Sequence, residues 1–187
     1  MALSKAGFAL GVMLLACSAP GASGLTVRLH NVSSGNERDL TELKITATCI
    51  FARSGIVIHW AGCAQAGCGD AASPSNIELY VVNDVNHSGY HTLAWTKLNA
   101  SAITVHYKRA QKMAKAATYD VSPGQVLGYA AAHEIGHLLL RSAAHSLFGI
   151  MKATYDPRDL MSMAQGRLFF SAEESQAMRR ALVADHR

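Results

Sequence analysis

His133-Glu134-Ile135-Gly136-His137, followed eight residues later by His145-Ser146 and then by Gly149-Ile150-Met151, is the stretch on which the reading of this chain turns. Residues four apart on an α-helix lie one turn above each other on the same face. His133 and His137 can therefore offer two imidazole nitrogens to one metal ion. Glu134, one step round the helix, reaches a water on that ion without being a ligand itself. Two imidazoles and a carboxylate so arranged are the parts of a zinc hydrolase, with the carboxylate as general base.

The flanks of the motif support a metal. Val126 to Ala132 before it and Leu138-Leu139-Leu140 after it are strongly apolar. Two histidines and a glutamate inside so apolar a helix are costly unless paired. A metal supplies the partner, whereas two core histidines satisfied by hydrogen bonds would leave Glu134 buried without a role. Pro123 sits at the favoured first-turn position, so the helix is expected from Gly124 through Leu139.

Upstream, Leu25 to Asn31 alternates apolar and polar residues with the period of a half-buried strand. Asp39 to Ser54 reads as a helix, with Leu40, Leu43, Ala47, Ile50 and Phe51 as one stripe and Gly55 as its stop. Ile56 to Trp60 and Ile77 to Asn83 are further strands, the latter apolar enough to be central. Tyr90 to Thr96 is more polar and edge-like, and Ala102 to Tyr107 makes a fifth strand. Tyr107-Lys108-Arg109 through Lys115 is taken as a solvated strand end and loop. Downstream of the motif, Ser171 and Glu174 form a capping-box pattern that opens a last helix ending near Val183. The expected fold is α+β, a twisted mixed five-stranded sheet with the motif helix packed under it and a C-terminal helix.

The remaining features bound the chain. About half of its 187 residues are apolar and 16 % are charged, which suits one domain over 25–187. Residues 1–24 carry Lys5, a short apolar run from Phe8 to Ala16 and a small, turn-prone end. This reads as a secretory signal peptide, too short to span a bilayer and without a stop-transfer segment, so the expected location is secreted or periplasmic. The competing reading makes Leu14-Leu15-Ala16-Cys17 a lipoprotein signal. Export permits disulfides; Cys63 and Cys68 flank a Gly-containing loop and are the expected pair, leaving Cys49 as a free thiol. The net charge of +4 is mild and its basic residues are scattered, which gives nucleic-acid binding little support. His87, His91 and His106 show no ligand spacing and read as surface histidines, while Trp60 and Trp95 read as core or strand-surface aromatics.

With these residues in place, the chain resembles the metzincin clan of zinc endopeptidases, whose pattern is His-Glu-x-x-His-x-x-Gly-x-x-His followed by a Met-turn. Within the clan it is most similar to small bacterial exported proteins with a His-Ser…Gly-Ile-Met variant. The resemblance implies Zn2+ as cofactor, His133, His137 and His145 as ligands, Glu134 as general base and Met151 as the hydrophobic floor. Tyr155 would be a transition-state stabiliser, or else an ordinary core or surface tyrosine. Two departures stand out: the clan's third-ligand position is Ala143, and Leu140 and Arg141 occupy the place of the helix-breaking Gly. Eight residues of straight helix rise about 12 Å, against a zinc–nitrogen bond of about 2 Å, so the chain must turn back before His145. Arg141 in a left-handed turn would cost on the order of 1 kcal/mol. The competing third ligands are Asp156, Asp159, Glu173 and Glu174.

The expected function is an exported zinc-dependent endopeptidase, hydrolysing peptide bonds through a zinc-bound water activated by Glu134. A protein or peptide would be its substrate, extended along the strand near Tyr90 to Thr96, and the chain would act as a monomer. The alternative is a catalytically inactive zinc-binding metzincin-like module that holds a protein or peptide partner. A purely structural site would need a fourth protein ligand, and none is evident.

Overall fold

The computed structural model describes residues 23–61, 76–83, 93–97 and 101–185. The segment read as a signal peptide lies outside these residues up to position 22, as do Cys17, Cys63, Cys68, His87 and His91. Cys49 is exposed and carries no disulfide.

Strand β1 (Ser23–Asn31) leads into helix α1 (Glu37–Arg53), followed by β2 (Ile56–Ala61), β3 (Asn76–Val82), β4 (Ala94–Lys97) and β5 (Ala102–His106). Four helices follow among the described residues: α2 (Tyr107–Ala116), α3 (Pro123–Leu140), α4 (Pro157–Ala164) and α5 (Ala172–Asp185). The five strands form one mixed sheet in the order β2-β1-β3-β5-β4. β1 runs parallel to β2 and β3, β5 runs parallel to β3, and β4 alone is antiparallel, against β5. β3 is central, as its apolar composition requires, but its burial alternates: Ile77, Leu79 and Val81 face the helices. Glu78 and Tyr80 face the other way. There Glu78 accepts from Arg28 at 3.0 Å and pairs with His30 at 2.6 Å, and the His30 ring stacks on Tyr80.

The core lies between the sheet's inner face and the α1–α3 pair. The stripe Leu40, Leu43, Ala47, Ile50 and Phe51 is buried, as its helical spacing dictates. α3 crosses α1 at close range, because a Cβ on Gly128 would come within 2.5 Å of Thr46 Cβ and 3.0 Å of the Leu43 carbonyl oxygen. Only a glycine admits the two backbones at that separation.

Three expectations change. Tyr107 to Lys115 is not a strand end and loop but most of helix α2. Tyr107 is buried and donates its hydroxyl to Asp39 at 2.6 Å, and Ala110 packs inward, while Lys108, Lys112 and Lys115 remain exposed. The charge density of the segment masked a helix whose inward face is Tyr107 and Ala110, with Met113 and Ala114 packed partly beside them. A short helix, α4, also stands in the region read as loop, opened by a capping box between Asp156 and Asp159. His106, read as a surface residue, is 3 % exposed at the end of β5. Trp60 is partly buried and donates to Thr48 Oγ1, whereas Trp95 is exposed.

Candidate metal centre

Helix α3 is secured at its start and sealed along its length. Ser122 caps it in a reciprocal box with Gln125, Pro123 occupies the first turn, and Val126 through Leu139 are buried without a break. His133 and His137 thus sit on a helix that tertiary packing holds rigid, at 9 % and 6 % exposure.

Each of the two rings is oriented by a backbone carbonyl. His133 Nδ1–H donates to Ile150 O at 2.7 Å, and His137 Nδ1–H donates to Ser142 O at 2.7 Å. A carbonyl only accepts, so both neutral rings carry their proton on Nδ1 and present Nε2 as a bare lone pair. The two Nε2 atoms face each other at 2.9 Å. Two lone pairs at that distance repel unless a cation or a proton lies between them. Burial and the neighbouring imidazoles oppose the proton: the Nε2 basicity of His133 is depressed to a pKa of about 4, first by desolvation, and that of His137 is lowered for the same reason. The donor set fits a borderline-soft divalent ion such as Zn2+, for which imidazoles held by carbonyls are a usual arrangement.

The third histidine reaches the pair because the helix ends abruptly. Arg141 takes the left-handed conformation, φ 50° and ψ 38°. Ser142 N–H then bonds back to His137 O and Arg141 N–H to Leu138 O, both at 3.2 Å, the pairing of a Schellman turn. The arginine therefore occupies the conformation that glycine takes more cheaply. The chain folds back, and the His145 ring centre comes within 5.3 Å of His133 and 4.9 Å of His137. One ligand atom from each of the three lies within 4.8 Å of the others.

Met151 is 1 % exposed, with its sulfur against the Gly136 face of α3. A Cβ on Gly136 would meet that sulfur at 2.6 Å and the Phe170 ring at 2.9 Å. Gly136 is a site residue the motif pattern left unassigned; its signal was its place between the two histidines. The Ile150 and Ser142 carbonyls were also missed, and backbone acceptors leave no mark in a sequence.

Glu134 is 6 % exposed and lines a cavity of about 460 Å3 with His133, His145, Tyr155 and the apolar Leu93, Met113 and Ala130. Burial raises its carboxyl to a pKa of about 7. Such a group gives and takes a proton near neutrality. Tyr155 is brought to the same cavity, but its hydroxyl donates to Ile150 O at 2.7 Å and lies 3.5 Å from His133 Nδ1. It stands behind His133, on the ring edge away from the Nε2 cluster, and burial raises its phenol above the ordinary value. The competing carboxylates are committed elsewhere. Asp156 and Asp159 hold Lys152 and cap α4, Glu174 binds Ser146 and caps α5, and Glu173 is exposed at the start of α5, bonded to its own backbone and to Ser171. Among the described residues the one cluster able to hold a metal is His133, His137 and His145.

Comparisons with known proteins bear on the fold. No protein-family model and no curated protein matches this chain. A solved structure described as a zinc-dependent peptidase from Methanocorpusculum labreanum is similar over 81 % of this chain and 99 % of its own length. The TM-score is 0.55 and the sequence identity 12 %. The α+β fold, with its five-stranded mixed sheet and five helices, is thus one that a zinc peptidase also uses.

Proposed function

We propose that the chain is a zinc-dependent endopeptidase of metzincin type, exported from the cell and acting as a monomer on protein or peptide substrates. One observation carries the reading: two Nδ1-protonated imidazoles aim their lone pairs at each other across 2.9 Å, with a third imidazole alongside. That arrangement is stable around a cation and strained without one. The shared fold with a zinc-dependent peptidase agrees with it.

His133, His137 and His145 would hold the ion, with Met151 as the apolar floor packed against α3. A zinc ion held there would supply Lewis acidity to a peptide carbonyl and would lower the pKa of water towards ~7. Glu134 accepts the proton of the attacking water and returns it to the leaving amine, for which its raised pKa suits it. Tyr155 steadies the Ile150 carbonyl that orients His133; released from that carbonyl, its hydroxyl is the candidate donor to the developing oxyanion. The substrate backbone would lie along β4, whose first residue Ala94, with Leu93 just before it, borders the cavity. Among the described residues no helix is long and apolar enough to cross a membrane.

The test is metal content together with cleavage. The purified chain should carry one zinc and cut members of a broad peptide library, and a chelator should stop it. Glu134→Gln should keep the zinc and lose cleavage. Zinc binding without cleavage by the unaltered chain would instead support the inactive binding module.

A further inference from the structure

The third ligand is held differently from the first two. His133 and His137 ride on a buried helix, but His145 is exposed on the segment between Arg141 and Gly149. That segment has little apolar anchorage, since Leu147 and Phe148 beside it are 83 % and 80 % exposed. One backbone bond, from Ser146 N–H to the carbonyl of the buried Met151 at 2.8 Å, ties it to the base of the site. The side chain of Ser146 reaches out: its hydroxyl donates to Glu174 Oε1. The other oxygen of Glu174 accepts from Ser171 N–H at 2.8 Å, and Glu174 N–H donates to Ser171 Oγ at 3.1 Å. The carboxylate is thus fixed at the first turn of α5 by a capping box. α5 in turn is anchored by Met178 and Leu182, both fully buried, and by Ser175 and Arg179 hydrogen-bonded to Ser54 at the end of α1.

We infer that Glu174 is a positioning residue for the metal: acting through Ser146, the direct chain neighbour of His145, it holds the third ligand in place and sets how tightly the site binds zinc. The inference rests on the zinc-binding reading of the site. A loop free to move must be ordered each time the ion binds, and that entropy is subtracted from affinity; a loop already tied to α5 binds with the cost met in folding. Partners bonded directly to a metal ligand typically contribute about 10- to 100-fold to metal affinity; Glu174 acts one residue removed, through Ser146, so the lower end of that range applies.

The experiment measures the zinc dissociation constant of the full chain by competition with a chromophoric chelator, alongside thermal unfolding of the metal-free protein. Glu174→Ala and Ser146→Ala should each weaken zinc about tenfold. Ser146→Thr, which keeps the hydroxyl, should restore the wild-type value. Ser171→Ala removes the helix cap without removing the tether, so it should lower the melting temperature and leave zinc affinity within about twofold. In a His145→Ala background, adding Glu174→Ala should change zinc affinity no further. Wild-type affinity in Glu174→Ala, or equal weakening by Ser171→Ala, would overturn the inference and leave the zinc reading standing. An unaltered chain that binds no zinc would overturn both.

Discussion

A carboxyl group sealed among apolar side chains keeps its proton to a higher pH than one in water, and Glu134 is in that position. The consequence for stability has a definite sign. Its folded pKa of about 7 lies above the ordinary 4.5, so the stability it lends is complete below pH 4.5 and is lost as the pH rises through 7. Metal-free Glu134→Gln should therefore match the metal-free wild type near pH 4.5. By pH 8 it should be more stable, by on the order of 3 kcal/mol, in urea unfolding. An unchanged difference between the two pH values would show that the carboxyl is solvated. Arg141 gives a second prediction at this scale. With φ at 50° it tolerates glycine and penalises β-branching, so Arg141→Val should fall about 2 kcal/mol below Arg141→Gly in the same assay. The Val variant should also lose zinc affinity, because the turn that delivers His145 would open.

At the scale of the element, α3 is both the most buried helix and the one that carries His133 and His137, and two of its residues fix it in place. Ser122 satisfies the first turn, and Ser122→Ala should cost about 1 kcal/mol by denaturant unfolding. Gly128 admits α1, and Gly128→Ala would set a Cβ 2.5 Å from that of Thr46. The helices would have to separate, at a cost of about 1–3 kcal/mol, readable as a lower urea midpoint. Most of this helix was legible in the sequence: the proline start, the apolar run and the i, i+4 histidines are local signals. α2 and α4 were not. α2 docks through Tyr107 and Ala110 with Met113 and Ala114 packed beside them, and α4 spans only Pro157–Ala164, so each apolar stripe is short and interleaved with charged or turn residues.

Across the whole molecule, zinc binding and folding draw on the same contacts, because the ligands come together only in the native state. Zinc at a hundred times its dissociation constant should stabilise the chain by about 2.7 kcal/mol, a rise in melting temperature of roughly 5–10 °C for a protein of this size. His145→Ala should remove most of that rise while changing the metal-free melting point little, since His145 is exposed and outside the core. The sequence by itself determined the pair His133 and His137 with Glu134 between them, the inward stripe of α1 and the central place of β3. The first two follow from the repeat of about 3.6 residues that the backbone imposes wherever the chain forms a helix, and the third from the apolar composition of the strand. Tertiary structure alone decided that Arg141 turns left-handed and that the Ile150 and Ser142 carbonyls fix the ring protons. It also decided that Gly136 admits Met151, and that Glu174 reaches back 28 residues to Ser146. Those contacts join residues whose spacing carries no period. They form only once α1, α3 and α5 pack together, which brings the loop after α3 within reach of α5.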